Sequence, residues 1–94
     1  MTSRFPPEKA APTTVEGAIR YVFGPYADQA LRVAWCESTW RTWAQNGQYL
    51  GLFQMGARER ATYGHGSTPL EQARAAYRYF VASGYSWGPW ECKP

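Results

Sequence analysis

Trp35-Cys36-Glu37-Ser38-Thr39-Trp40, followed by Asn46-Gly47-Gln48-Tyr49-Leu50-Gly51-Leu52-Phe53-Gln54-Met55, is the stretch whose reading decides the fold. Its first half closes a helical pattern: from about Tyr26 to Glu37, the residues Ala27, Ala30, Leu31, Ala34 and Trp35 recur at the spacing of one buried stripe. At about 100° per residue, Glu37 falls on the edge of that stripe beside Ala30 and Val33, which predicts a partly desolvated carboxylate at a helix end. Between Gln45 and Met55 the pattern changes to Gly, Asn and aromatics with no helical period. That suits a short antiparallel ribbon or an irregular loop, with Gly47 and Gly51 permitting tight turns.

Further helical patterns lie on either side. Thr13-Thr14-Val15-Glu16 fits a capping box, and Val15, Ala18, Ile19, Val22 and Phe23 follow on one apolar stripe that Gly24-Pro25 ends. A short helix is predicted over 57–63. Ser67 or Thr68 caps a last helix over about 69–83, with Pro69 at its first position. Leu70, Ala73, Tyr77, Phe80 and Val81 share one stripe of that helix, and Gln72 shares another flank with Ala75, Ala76 and Tyr79, so contact on two sides and a central place are expected. Ser83-Gly84 ends it, and Tyr85 to Pro94 forms an aromatic tail. Pro6, Pro7 and Pro12, among small and charged residues, mark 1–12 as an unstructured lead-in or linker. The expected fold is α+β and mainly α, one small domain over 13–94 with a short β-ribbon.

Ninety-four residues allow one modest core, because a chain of this size buries only about 60% of its unfolded surface and needs staples. The two cysteines, Cys36 and Cys92, allow two readings. Paired, they close most of the chain into a loop worth about 4 kcal/mol by chain entropy and imply an oxidising compartment; unpaired, they are thiols of a cytosolic domain. At 45% hydrophobic and 17% aromatic, with five Trp, the chain is too apolar for disorder and has flat side chains to spare. Its net charge of +3 favours an anionic partner such as nucleic acid, a membrane surface or an acidic wall polymer without choosing among them. With Arg spread along the chain rather than clustered, nucleic acid does not lead. No apolar run approaches the roughly 20 residues that span a bilayer. The first thirty positions also lack the apolar stretch of a signal peptide, so either a leader has been removed or export takes another route.

Cleaving a glycosidic bond near neutral pH needs a carboxylic acid kept protonated by an apolar surround. Glu37, between Trp35 and Trp40 and directly after a cysteine, meets that requirement, set against the ordinary alternative of a solvated Glu at a helix end. A polysaccharide also needs aromatic faces for sugar C–H surfaces and amides for hydroxyl and N-acetyl groups. Trp40, Trp43, Tyr49, Trp87 and Trp90 are the candidates for stacking, and Asn46, Gln54 and Gln72 for hydrogen bonds. Small domains place most Trp in the core; Trp35 is expected there, and the roles of Trp40, Trp87 and Trp90 stay open. Gln54, after an apolar triplet, is expected to be held inward, as a ligand or as a structural amide. His65 stands alone between two glycines, which gives no support for metal binding or a Ser/His/Asp arrangement, and no cofactor is implied. Cys36 as nucleophile with His65 as base would make a thiol hydrolase. No Asn or Asp is placed to orient that imidazole, and Cys92 is a simpler partner for Cys36.

Several elements occur in a specific order: a Cys directly before Glu37, the Asn46-Gly47-Gln48-Tyr49-Leu50-Gly51-Leu52-Phe53-Gln54 run, Gln72 eleven residues before Ser83-Gly84, and a closing Trp87-Gly88-Pro89-Trp90-Glu91-Cys92. Over roughly residues 15–92 this set resembles the catalytic domain of the resuscitation-promoting factors, relatives of soluble lytic transglycosylases and goose-type lysozymes. The resemblance implies a lysozyme-like domain with Glu37 as catalytic acid, Ser38 orienting it, and a Cys36–Cys92 disulfide. It also implies a cleft lined by Gln54 and Gln72; Asn46, Tyr49, Trp40 and Trp87, from the stacking and hydrogen-bond candidates above, are the further substrate contacts expected there. The implied substrate is the glycan strand of peptidoglycan, cut at the β-1,4 bond between N-acetylmuramic acid and N-acetylglucosamine, and the implied location is secreted, at the cell wall or in a phage virion. The chain departs from these families at Ala44, near a position where the resuscitation-promoting factors carry a polar residue, and in lacking the Ala-Tyr-Asn motif typical of lytic transglycosylases, with only Tyr85 nearby.

Asp28 is the one Asp, more than two helical turns before Glu37, so a single-acid mechanism is expected, assisted by the substrate's N-acetyl or 6-hydroxyl group and with an anhydro product as one outcome. Pairing of the cysteines offers a second carboxylate, since bonded cysteines hold their Cα atoms about 5–6 Å apart and would bring Glu91 near Glu37. Two readings compete with cleavage. One is a wall-binding module that keeps the groove but cleaves weakly or not at all. The other is a small basic disulfide-bonded inhibitor or antimicrobial protein, which gives no reason for the Glu37-to-Gln54 arrangement. A groove that admits a polymer is expected in a monomer.

Overall fold

A computed structural model of the chain describes residues 12–94, so all of the expected lead-in except Pro12 lies outside the described residues. The elements follow as α1 (Val15–Phe23), α2 (Ala27–Ser38), β1 (Gln45–Asn46), β2 (Tyr49–Leu50), α3 (Ala57–Tyr63) and α4 (Pro69–Ala82). Thr14 caps α1, accepting the Gly17 N–H on its hydroxyl at 3.0 Å. The helix thus starts one residue later than a box on Thr13 requires, and Glu16 reaches Arg20 instead, at 3.1 Å. Gly24, at φ 54, turns the chain out of α1 into a 3-10 turn over Gly24–Tyr26 that leads straight into α2.

α2 buries Ala27, Ala30, Leu31, Val33, Ala34 and Ser38. Val33 carries the buried arc toward the Glu37 side at about 100° per residue, which leaves Trp35 beyond the opposite edge. Trp35 is therefore not a core residue: it is 55% exposed and meets Trp40 edge-on at 5.4 Å. The chain reverses after α2 through Thr39 and Trp40, both in the left-handed region at φ 50 and 61. β1 and β2 then pair antiparallel, Gln45 opposite Leu50 and Asn46 opposite Tyr49, and an isolated bridge joins Leu50 to Met55.

α4 opens with a complete capping box, in which the Glu71 N–H donates to Thr68 Oγ1 and the Thr68 N–H to Glu71 Oε1, each at 3.1 Å. It packs against α1 and against α3, burying Gln72, Ala73, Ala75, Ala76 and Phe80. Small residues on this helix let its neighbours approach, and the volume between them is filled by aromatics. Phe23 lies 5.5 Å from Phe53 and 5.7 Å from Trp87, and Phe80 lies 4.4 Å from Trp87. Each such ring contributes on the order of 2–3 kcal/mol by burial. The tail after α4 is thereby part of the core, and the Cys36–Cys92 disulfide, Cα atoms 6.0 Å apart, ties it to the end of α2. The fold is mainly α with a two-stranded antiparallel ribbon and one disulfide. Among the described residues no helix is long and apolar enough to cross a membrane.

Candidate functional site

Glu37 stands in the last turn of α2, half-buried, and its Oε2 accepts the Cys92 N–H at 3.0 Å. The disulfide on the preceding residue delivers that N–H, so the covalent link and the carboxylate's hydrogen bond form one unit. With one oxygen held, the other has no hydrogen-bond partner among the described residues. The carboxylate borders a cleft of about 410 Å³. Pro89, Trp90 and Glu91 line it from the tail, Asn46 and Tyr49 from the ribbon, Gln54, Met55 and Gly56 from the segment after the ribbon, Glu59 from α3 and Tyr79 from α4. Among the described residues, every charged side chain lining the cleft is a Glu.

The ribbon explains why Asn46 and Tyr49 share this cleft: they are directly opposite each other across the two strands, so their side chains leave on one face. Gln54, at φ 49, folds back so that its Nε2 donates to the carbonyls of Ala44 (3.1 Å) and Gly51 (3.0 Å). Its Oε1 has no hydrogen-bond partner among the described residues and stays available as an acceptor at the cleft. Tyr79 has its phenol pushed up from the ordinary tyrosine range, first by burial and then by the negative charge of Glu59, with smaller contributions from Tyr63 and Tyr49. Its hydroxyl therefore keeps its proton at neutral pH and can donate a hydrogen bond.

Four residues expected at the site, Gln72, Trp87 and Trp40 as substrate contacts and Ser38 as the orienter of Glu37, are committed to other partners. Gln72 is only 4% exposed. Its Oε1 accepts the Leu52 N–H at 2.8 Å, and its Nε2 donates to the carbonyls of Thr42 and Gly66, each at 3.0 Å. It therefore clamps the loop, the ribbon segment and α4 together. Gly51 makes room for the clamp: at φ +82, a Cβ there would lie 2.5 Å from Gln72 Oε1. Trp87 is 6% exposed, and its indole N–H is spent on Gln29 Oε1 at 2.8 Å. Trp40 rests half-buried against the core and donates to the Leu31 carbonyl at 3.0 Å. Ser38 is buried, its hydroxyl bonding to the carbonyls of Ala34 and Leu52 at 3.0 and 2.8 Å, so it ties α2 to the segment after the ribbon rather than orienting Glu37. Trp90 is buried with its N–H on the Phe53 carbonyl, yet it also lines the cleft.

A second hollow of about 400 Å³ lies on the other face of the ribbon, lined by Leu50, Thr42, Trp43 and the His65–Ser67 loop. Trp43 is 74% exposed there. Burial, and then the charge of Arg60, lower the His65 imidazole below its usual value. The Gln72 amide also borders this hollow, already committed to the backbone.

Glu59 and Tyr79 are the cleft residues that sequence reasoning missed. A Glu in the first turn of a short helix reads as a partner of the helix dipole, and Tyr79 read as a flank of α4; no local signal marks either as lining a cleft with Glu37. Among the described residues no group of three or more His, Cys, Asp or Glu is disposed to hold a metal ion. Compared with family models, curated proteins and solved structures, the chain gives no significant match.

Proposed function

We propose that this protein cleaves the glycan strand of peptidoglycan, in the manner of a lysozyme or lytic transglycosylase, with Glu37 as the proton donor to the oxygen of the bond between N-acetylmuramic acid and N-acetylglucosamine. The observation that carries this reading is the Glu37 carboxylate, anchored by the Cys92 N–H at the edge of a cleft about 410 Å³ in volume. The cleft offers what a sugar polymer needs: the exposed Tyr49 ring for a sugar face, the Asn46 amide and the open Gln54 Oε1 for polar substituents, and the Tyr79 hydroxyl as a further donor. The ordered motifs running from Cys36 through Gln54 to Cys92, which resemble the resuscitation-promoting factors, support the same reading. A disulfide accords with work outside the cytoplasm, in secretion, at the wall or in a virion.

A positioned general acid contributes on the order of 10²–10⁴-fold. Glu37→Gln is therefore expected to lower muropeptide release from purified peptidoglycan by at least about 10²-fold, read by mass spectrometry, with the melting temperature held. One observation favours a second reading. With Gln72 and Trp87 turned inward, the cleft has fewer substrate contacts than the motifs imply, as suits a wall-binding module. That reading predicts sedimentation of the parent protein with the wall and no soluble product from either protein.

A further inference from the structure

We propose that Glu59 is the base of this cleft: its carboxylate takes a proton from the water that attacks the anomeric carbon while Glu37 protonates the leaving oxygen. The inference rests on the cleavage reading above, and it adds the second carboxylate and a hydrolytic product.

Glu37 and Glu59 reach one cleft from separate parts of the fold, Glu37 from the α2 end bonded to the tail and Glu59 from α3, which continues the ribbon side. Glu91 also lines the cleft, but it adjoins Cys92, whose N–H holds Glu37, and so comes from the same side as the acid. Among the described residues, Glu59 is thus the cleft carboxylate that comes from a part of the fold other than the α2 end and the bridged tail. The side chain is not consumed by the helix it starts. Gln48 Oε1, not Glu59, takes the Ala57 N–H at 3.0 Å, and the Glu59 carboxylate has no hydrogen bond or ion pair among the described residues. The contrast is Glu71, the equivalent first-turn Glu of α4, which is tied up by Ser67 and Thr68. Gly56 supplies an independent sign. Its backbone, at φ -75, suits any residue, yet a Cβ would stand 2.7 Å from Glu59 Oε1 and 3.2 Å from the Tyr49 ring. The missing side chain leaves open the space in which the carboxylate sits.

In the step itself, the water oxygen bonds to the anomeric carbon and its proton passes to Glu59. The bond to the leaving sugar breaks with its electron pair on oxygen, which takes the proton of Glu37. The sum is addition of one water, with the protons of the two carboxyl groups reset through solvent, and attack opposite the departing group inverts the anomeric configuration.

Parent, Glu59→Gln, Glu59→Ala and Glu37→Gln proteins are incubated with purified peptidoglycan, and reducing-end and anhydro products, which differ by one water, are counted by mass spectrometry. Circular dichroism establishes that each variant is folded. The expected result is reducing-end product from the parent and a drop of about 100-fold or more in Glu59→Gln. Azide, a nucleophile that needs no base, restores turnover to Glu59→Ala as a glycosyl azide. Anhydro product alone from the parent, reducing-end product from Glu59→Gln at the parent rate, or failure of azide to restore a folded Glu59→Ala each overturns the assignment. No release by the parent overturns the cleavage reading itself, and Glu59 with it; loss in Glu37→Gln beside parent-rate hydrolysis in Glu59→Gln sinks Glu59 alone.

Discussion

Gln72 and Gln54 are both amides near the ribbon, and they differ in what their neighbours leave unsatisfied. Gln72 supplies the acceptor for the Leu52 N–H and the donors for the Thr42 and Gly66 carbonyls, three backbone groups that would otherwise be orphaned. Gln72→Leu keeps the volume and removes all three partners, so it is expected to cost about 2–4 kcal/mol in urea unfolding. An amide serving only substrate would cost within about 0.5 kcal/mol, and that outcome would return Gln72 to the cleft. Gln54 keeps one oxygen open because its NH₂ alone satisfies the carbonyls of Ala44 and Gly51. Glu37 was legible from its register on α2 and its place after Cys36. The inward turn of Gln72 was not, because it depends on the space left by Gly51, which lies far from it in sequence and meets it only on folding.

Helix α4 is the element on which the others settle, and its first turn is built for that. Thr68→Ala removes the cap hydroxyl and is expected to cost about 1 kcal/mol in thermal unfolding. Its second effect is on pH dependence. The Thr68 N–H first, then the Thr68 hydroxyl and the Ser67 N–H, hold the Glu71 carboxyl below its usual value. A carboxyl depressed on folding adds stability that is present above its unfolded value, near about 4.3, and is lost as the pH falls through the lower folded value. The difference in stability between parent and Thr68→Ala should therefore shrink on acidification below that range, and a constant difference would remove Glu71 from the account. Both helix ends of α4 were readable, since Thr68, Pro69 and Gly84 act on their own neighbours. Trp35 on α2 misled for the opposite reason: its alternation fits a stripe, but the buried arc is centred by what packs on it, and Val33 drew that arc the other way.

At the scale of the molecule, the Cys36–Cys92 bridge joins the carboxyl end of α2 to the tail across a sequence separation of 56, a loop worth about 4 kcal/mol by chain entropy. The Cys36→Ser/Cys92→Ser pair is expected to lose about that much stability, measured by denaturant unfolding. Because the same tail supplies the N–H held by Glu37, cleavage should fall even at a temperature where the variant remains folded; unchanged turnover there would separate the bridge from the acid. Charge is also arranged globally. The chain carries a net +3 while, among the described residues, Glu37, Glu59 and Glu91 are the charged side chains that line the cleft. Under the proposed function, attraction to an anionic wall would come from Arg and Lys outside the cleft, and wall binding should weaken as salt rises past about 0.1 M, where the Debye length is about 10 Å; binding indifferent to salt would argue for contacts within the cleft alone. The sequence by itself determined the helices, the cap of α4, the ribbon and a carboxylate at the end of α2, because each follows from period and capping among residues a few positions apart. Only the tertiary structure decided that Trp35 faces solvent, that Gln72 and Trp87 face inward, and that Glu59 and Tyr79 meet Glu37 in one cleft. Those outcomes depend on how α3, α4 and the bridged tail pack against one another, contacts between residues that are distant along the chain.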